Sequence, residues 1–319
     1  MKRYQLRDGN TAWAISSDTY VKRAVTEVER ELSYVGKQLH KKAVTPMASG
    51  YRPELDNTPE LDEKRASYYA SLMGVLRWCI ELGRIDIIVD VGLLARFQAN
   101  PRQGHLEQMF HVFAYLKRHN RSALVFDWTE PEFDTTQFRE CDWKEYYPGA
   151  AEAIPDNMPE PRGRSVTSTC FVDADHAGCR LTRRSHSGVL IFVNRAPIIW
   201  FSKRQATVES STFGSESVAM RIAFDLIEGL RYKLRMMGVP IDGPTSCFCD
   251  NESVVTCTTR PESTLKKKHN AINYHRCREA IAAGHIRVAW IDTKYNLADA
   301  LTKVTVGERR QYLFSRILW

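Results

Sequence analysis

Four acidic residues, each at the end of or just beyond an apolar, strand-like run, could do chemistry together: Asp173 in TCFVDADHAG, Glu216 in STFGSESVAM, Asp250 in TSCFCDN and Asp299 in YNLADALTK. A carboxylate placed where a strand meets a pocket is what a divalent-metal site requires. Mg2+ takes hard oxygen ligands, keeps several waters and commonly bridges one or two carboxylates to phosphate oxygens. The chain holds 38 aspartates and glutamates, so each of the four also has a plain structural reading. Asp173 competes with Asp175 as the inward carboxylate, and alternation along the apolar run favours Asp173. Glu216 is either an exposed helix residue or, one turn from Ala219 and Met220, on or beside a buried face. Asp250 could cap a helix beginning at Asn251, and Asp299 could cap the helix it opens.

The elements that must position these residues read clearly from Ser165 onward. VTSTCFVDAD, GVLIFVNR and APIIWFSK alternate as three strands, the second and third forming a hairpin about Asn194-Arg195. A long helix is expected from about Ser211 to Met237, stopped by Gly238. TSCFCD is a fourth strand, NESVVTCTT a short helix, and STLKKKHNAINYHRCREAIAAG a basic helix ending at Gly284. HIRVAWID supplies a fifth strand and NLADALTK opens a last helix. This order fits an α/β fold with a mixed five-stranded sheet and helices on both faces.

Residues 1–120 read as mainly helical after a short leading strand. Val25, Val28 and Leu32 share one stripe, as do Leu72, Leu76 and Ile80, and Leu106, Met109, Phe110, Phe113 and Leu116 recur at three and four. Helical packing accounts for those stripes, and this half carries no convincing catalytic constellation. Residues 121–164 begin with one strand, SALVFD, and continue as a connecting segment rich in proline, acids and aromatics that partly packs on its neighbours.

Composition is that of a globular protein, 43% hydrophobic and 26% charged over 319 residues, enough for two ordinary domains. From residue 166 onward there are 22 lysines and arginines against 14 acids, a net of +8, whereas the first 165 residues carry −1. A cationic body around an acidic pocket suits a polyanion whose phosphate meets bound metal. Eight scattered cysteines with no Cys-x-x-Cys pair give no disulfide framework or zinc site, and Cys247-Phe248-Cys249 reads as alternate positions on a buried strand. No apolar stretch approaches a membrane span, and MKRYQLRDGN has no signal-peptide core, so an intracellular protein without a membrane partner is expected, in a cytoplasmic particle or the nucleus.

The order of the four acids resembles ribonuclease H. The blocks DADHAGCRLTRRSHSG, IIWFSKRQATVESSTFGSES, FCDNES, KKKHNAINYHRCRE and ADALTK narrow the resemblance to the ribonuclease H domain of copia-type LTR retrotransposon Pol polyproteins, over essentially all of 166–319. RWCIELGRIDI and NPRQGHLEQMFHVFAYLK resemble the thumb and connecting segment of the same reverse transcriptases. The resemblance thus implies a thumb/connection-like region at 1–120, a connecting segment at 121–164 and a ribonuclease H-like domain at 165–319. The Tyr-x-Asp-Asp palm motif is absent from the sequence, so polymerisation by this chain alone is not expected.

What the resemblance implies is hydrolysis of the RNA strand of RNA:DNA hybrids with two Mg2+ ions, for which Mn2+ can substitute. Asp173 would bridge both metals, Glu216 and Asp250 would hold the one at the leaving oxygen, and Asp299 would complete the one that activates water. A hybrid is told from duplex DNA by groove shape and 2′-hydroxyls. Arg183, Arg184, Lys203, Arg204, Lys266, Lys267 and Lys268 are candidate phosphate contacts, and Ser185 and Ser187 candidate neutral donors, each with a solvated-surface reading beside it. A palm and fingers, on the same polyprotein or another chain, would be the protein partner. Two departures stand out: IDTKYNLAD lacks the loop histidine that precedes the last aspartate in many ribonucleases H, and Gly214 stands where copia-type elements often carry a second glutamate. A non-catalytic hybrid clamp, and a DNA nuclease or strand-transfer enzyme on the same fold, are the rival expectations.

Overall fold

The leading strand is a hairpin. In the computed structural model, which describes residues 1–6, 8–266 and 268–318, β1 (Lys2–Gln5) pairs antiparallel with β2 (Thr11–Ser16), and β3 (Ala123–Phe126), from SALVFD, adds to the other side of β2. Alternate residues Ala12, Ala14, Ala123 and Val125 bury one face. The expected stripes become α1 (Asp18–Tyr34), α2 (Glu63–Glu81), α3 (Ile88–Leu94) and α4 (Gln103–Arg118). Val25, Val28, Leu32, Leu72, Leu76, Met109, Phe113 and Leu116 are all buried, and each fully buried side chain of this size contributes about 1.5–3 kcal/mol.

The chain divides into two units whose limits differ from the sequence segments: residues 1–126, 179–181 and 303–319 form one, and 127–178 with 182–302 the other. The C-terminal segment joins the first unit through Arg310. Its Nη2 donates to the Asp86 carbonyl at 2.6 Å and to the Tyr115 hydroxyl at 3.0 Å. Asp86 in turn accepts two hydrogen bonds from Arg84 and one from Tyr115. Such a buried charge network leaves no local periodicity, which is why the sequence did not announce it.

In the second unit the chain forms β4 (Ser168–Asp175), β5 (His186–Val193), β6 (Ala196–Arg204), α5 (Thr212–Met236), β7 (Thr245–Cys249), α6 (Glu252–Thr259), α7 (Ala271–Ala282) and β8 (Ile286–Trp290). The sheet order is β6-β5-β4-β7-β8, antiparallel across β6-β5-β4 and parallel across β4-β7-β8. This is the mixed five-stranded sheet with flanking helices expected of a ribonuclease H-like fold. Asn194, at φ 53°, makes the two-residue hairpin turn, with Val193 paired to Ala196. Ser211 caps α5 by accepting from the Gly214 N–H.

Strand alternation sorts the sheet's two faces. Cys170, Val172, Cys247, Cys249, Ile286 and Val288 pack with α5 and α7 residues such as Phe224 and Cys277. On the other face Phe171, Phe248 and Ala289 meet Phe133 and Phe138 of the connecting segment, which is therefore a fixed cover. Further along it, Trp143 stacks over the Arg278 guanidinium, whose Nη atoms donate to the Cys257, Arg260 and Pro261 carbonyls. The basic helix begins only at Ala271. The Tyr274 hydroxyl donates to the Ser263 carbonyl, and Lys266 and Lys268 lie before the helix instead of within it.

The segment NLADALTK is a 3-10 turn over Leu297–Leu301, lying on β4 and β5, and α8 (Gly307–Phe314) is a separate helix of the first unit. Gly188 makes that close approach available. A Cβ there would lie 2.7 Å from Thr302 Cγ2, 2.9 Å from the Ala298 carbonyl oxygen and 2.9 Å from Leu301 Cβ. Gly188→Ala is therefore expected to destabilise the chain by about 1–3 kcal/mol, read as a lower urea midpoint; an unchanged midpoint contradicts the packing. In the first unit, burial pushes Asp90 up to about 7 from the ordinary 3.8, against the opposing pull of Arg310. The folded chain thus keeps a proton that the unfolded chain loses, and stability falls as pH rises through that window. Urea unfolding from about pH 4.5 to about pH 7 should show this loss in the wild type and a flatter profile in Asp90→Asn; parallel profiles would refute it.

Candidate metal centre

Parallel pairing brings the first two acids together. β4 and β7 are in register with Val172 opposite Cys249, so Asp173 and Asp250 follow at the same level, just past the end of β7 and two residues before the end of β4. β4 is paired antiparallel on its other side, which makes this the point where the sheet changes direction, a common place for a site. By alternation Asp173 faces the side of the sheet on which Leu297–Leu301 lies, and that turn carries Asp299. Glu216 arrives from the opposite face, on the second turn of α5.

Asp173, Asp250 and Asp299 each bring a carboxylate oxygen to within 4.8 Å of the others. Glu216, Cys249 and Asp250 form a second group within the same distance, so Asp250 is common to both. Asp173 and Asp299 are 3% exposed and Glu216 is 6% exposed, whereas Asp250 is half-buried. Asp173 is the inward residue of its strand end and Asp175 is less buried, its carboxylate lying over Gly178, where a Cβ would collide with it.

The competing capping roles are filled by asparagines. Asn251 caps α6 by accepting from the Val254 N–H at 3.2 Å, and Asn296 caps the Leu297–Leu301 turn by accepting from the Ala298 N–H at 3.1 Å. Asp250 and Asp299 stand beside these caps and do not fill them. The first group offers oxygen only, which suits Mg2+ or Mn2+. In the second, burial and then the neighbouring Glu216 carboxylate push the Cys249 thiol well up, so it is neutral and leaves Glu216 and Asp250 as the oxygen donors. The residues present therefore fit a hard divalent cation.

Several residues that the sequence reading passed over hold this arrangement. Gln205 Nε2 donates to Ser187 Oγ at 2.9 Å and to the Ser215 carbonyl at 2.8 Å, fixing the start of α5 next to Glu216. Ser215 Oγ lies 3.3 Å from His176 Nδ1, in the loop after β4. Asn296 Nδ2 donates to the Val172 carbonyl at 2.9 Å, and Ser202 Oγ to the Leu301 carbonyl at 2.7 Å. The Thr302 hydroxyl donates to Asp173 Oδ2. The only sequence signal for them was their place inside the quoted blocks.

Of the candidate phosphate contacts, Arg183, Lys203, Lys266 and Lys268 are exposed, and Arg184 and Arg204 are half-buried. Lys267 lies outside the described residues. Ser185 and Ser187 need correction. Both are fully buried; Ser185 Oγ accepts the Ala177 N–H at 3.0 Å, closing the loop after β4 where Ala177 has φ 53°, and Ser187 serves Gln205. They shape the site's frame and present nothing to a ligand at the surface.

No family model matches the chain. It is 24% identical over 263 residues to the Retrovirus-related Pol polyprotein from transposon RE1 of Arabidopsis thaliana, covering 82% of this chain and 15% of that protein. It is 25% identical over 308 residues to the Retrovirus-related Pol polyprotein from transposon TNT 1-94 of Nicotiana tabacum, covering 95% of this chain and 20% of that protein. The chain thus spans a fifth or less of the length of these curated relatives. Among solved structures, LC11-RNase H1 in complex with an RNA/DNA hybrid is 15% identical, with a TM-score of 0.34, covering 43% of this chain and 94% of that one. Among the described residues no helix is long and apolar enough to cross a membrane. The chain's relatives are retrovirus-related Pol polyproteins of plant copia-type transposons, matched over most of its length.

Proposed function

We propose that this chain hydrolyses the RNA strand of RNA:DNA hybrids, as the ribonuclease H part of a retrotransposon reverse transcriptase. The observation that carries the reading is a pair of carboxylate-bearing groups that share Asp250, one with Asp173 and Asp299 and one with Glu216, in a chain whose relatives are Pol polyproteins. Residues 1–120 would serve as the thumb/connection counterpart, and a palm and fingers supplied elsewhere as the partner, inside the cell.

The four carboxylates would hold two Mg2+ ions, or Mn2+ in their place. Asp173 would be the bridging ligand by resemblance, and Asp250, common to both groups of donors, would be the second candidate for that role. Bound there, such a pair of cations supplies an activated water, a stabilised leaving oxygen and charge neutralisation at phosphorus. The protein's own contribution is to hold the carboxylates in place before substrate arrives, with Gln205 and Asn296 fixing the segments that carry Glu216 and Asp299. Arg183, Arg184, Lys203, Arg204, Lys266, Lys267 and Lys268 would draw in the phosphate backbones without reading sequence, so cleavage should weaken as salt rises.

The test is cleavage of a labelled RNA strand in a hybrid, with and without Mg2+, beside a DNA duplex. Asp250→Asn should lower the rate by about 100-fold or more, beyond the range of outer-shell ligand partners. Cleavage that needs no divalent cation, that survives Asp250→Asn, or that attacks duplex DNA equally would overturn the proposal, and tight hybrid binding without cleavage would point to a clamp.

A further inference from the structure

We infer that Thr302 is a positioning residue of the candidate metal centre: its hydroxyl fixes one oxygen of Asp173 and thereby the rotation of the carboxylate it presents to a divalent cation. The inference rests on the function proposed above and names a residue outside the four acids.

Asp173 lies two residues before the end of β4, paired with Gly188 of β5, and its side chain stands out from the sheet face, where strand pairing alone does not fix its χ angles. A carboxylate there could rotate, and a metal ligand that rotates binds weakly. Thr302 removes that freedom. It is 3% exposed, and its Oγ1 donates to Asp173 Oδ2. The donor is itself immobilised. Its Cγ2 packs where Gly188 leaves room, and its N–H points back to the Asp299 carbonyl at 3.5 Å.

The same turn is pinned at its other end by Asn296 on the Val172 carbonyl and near its close by Ser202 on the Leu301 carbonyl. Asp299 lies between these anchors. Thr302 is the anchor that reaches a candidate ligand's carboxylate directly, and so it sets Asp173 and Asp299 relative to each other. A threonine is suited to both tasks, because its methyl fills the space over Gly188 while its hydroxyl makes the bond.

Those two tasks separate by substitution. Thr302→Val keeps the shape and removes the donor, and Thr302→Ser keeps the donor and removes the methyl. Binding of Mn2+ to the full chain, followed by the paramagnetic resonance of the free ion, reads positioning without turnover. Thr302→Val should bind at least about 10-fold more weakly than the wild type, and Thr302→Ser within about 3-fold of it. Wild-type affinity in Thr302→Val, or equal losses in both variants, would overturn the inference, the second outcome assigning the effect to packing. Near-ultraviolet circular dichroism checks folding, and Thr302→Ala replaces the valine variant in the comparison if that variant does not fold. No Mn2+ binding by the wild type would overturn the metal-centre reading itself, and this inference with it.

Discussion

Three carboxylate oxygens within 4.8 Å of one another, two of them on side chains almost entirely out of water, repel each other, and the second unit is built around that constraint. Such a cluster is costly unless a cation or firm hydrogen bonds offset it. The fold supplies the rigidity. Two parallel strands in register bring Asp173 and Asp250 together, one face of the sheet supplies Glu216 through α5, and the other supplies Asp299 through a short turn seated on Gly188. No single element carries more than one of the four, and displacement of any of them would open the cluster.

Neutral polar side chains do the holding. Gln205, Asn251, Asn296, Ser202 and Thr302 each satisfy backbone or carboxylate groups without bringing a further charge into the site. A lysine or arginine in their place would pair with a carboxylate and compete with a divalent cation for it. Positive charge that water and phosphate can reach lies instead on residues such as Arg183, Lys203, Lys266 and Lys268. An acidic, hard-oxygen centre with exposed lysines and arginines in the same half of the sequence is the charge arrangement that a phosphodiester substrate calls for.

Much of this was legible in the residues because it rests on local rules. Ser211 and Gly238 bracket α5 as its cap and stop, the Asn194-Arg195 pair makes the β5-β6 turn, and alternation in TCFVDAD puts Asp173 inward. What escaped depends on partners distant in the chain. Ser185 looks like a surface serine until the loop after β4 folds its Ala177 N–H onto it. NLADALTK reads as a helix start, yet Asn296 bonds the Val172 carbonyl on β4 and the segment settles as a tight turn. Phe133 and Phe138 read as linker aromatics and instead cover Phe171 and Phe248, while Arg310 finds Asp86 more than 200 positions away.

The central claim is that the four acids form one divalent-metal centre. Crystals of the full chain soaked in Mn2+, with anomalous scattering recorded at the manganese edge, address it most directly. The account predicts two anomalous peaks about 4 Å apart, bounded by Asp173, Glu216, Asp250 and Asp299. Peaks elsewhere on the chain, or none at this cluster while Mn2+ is in excess, would contradict it.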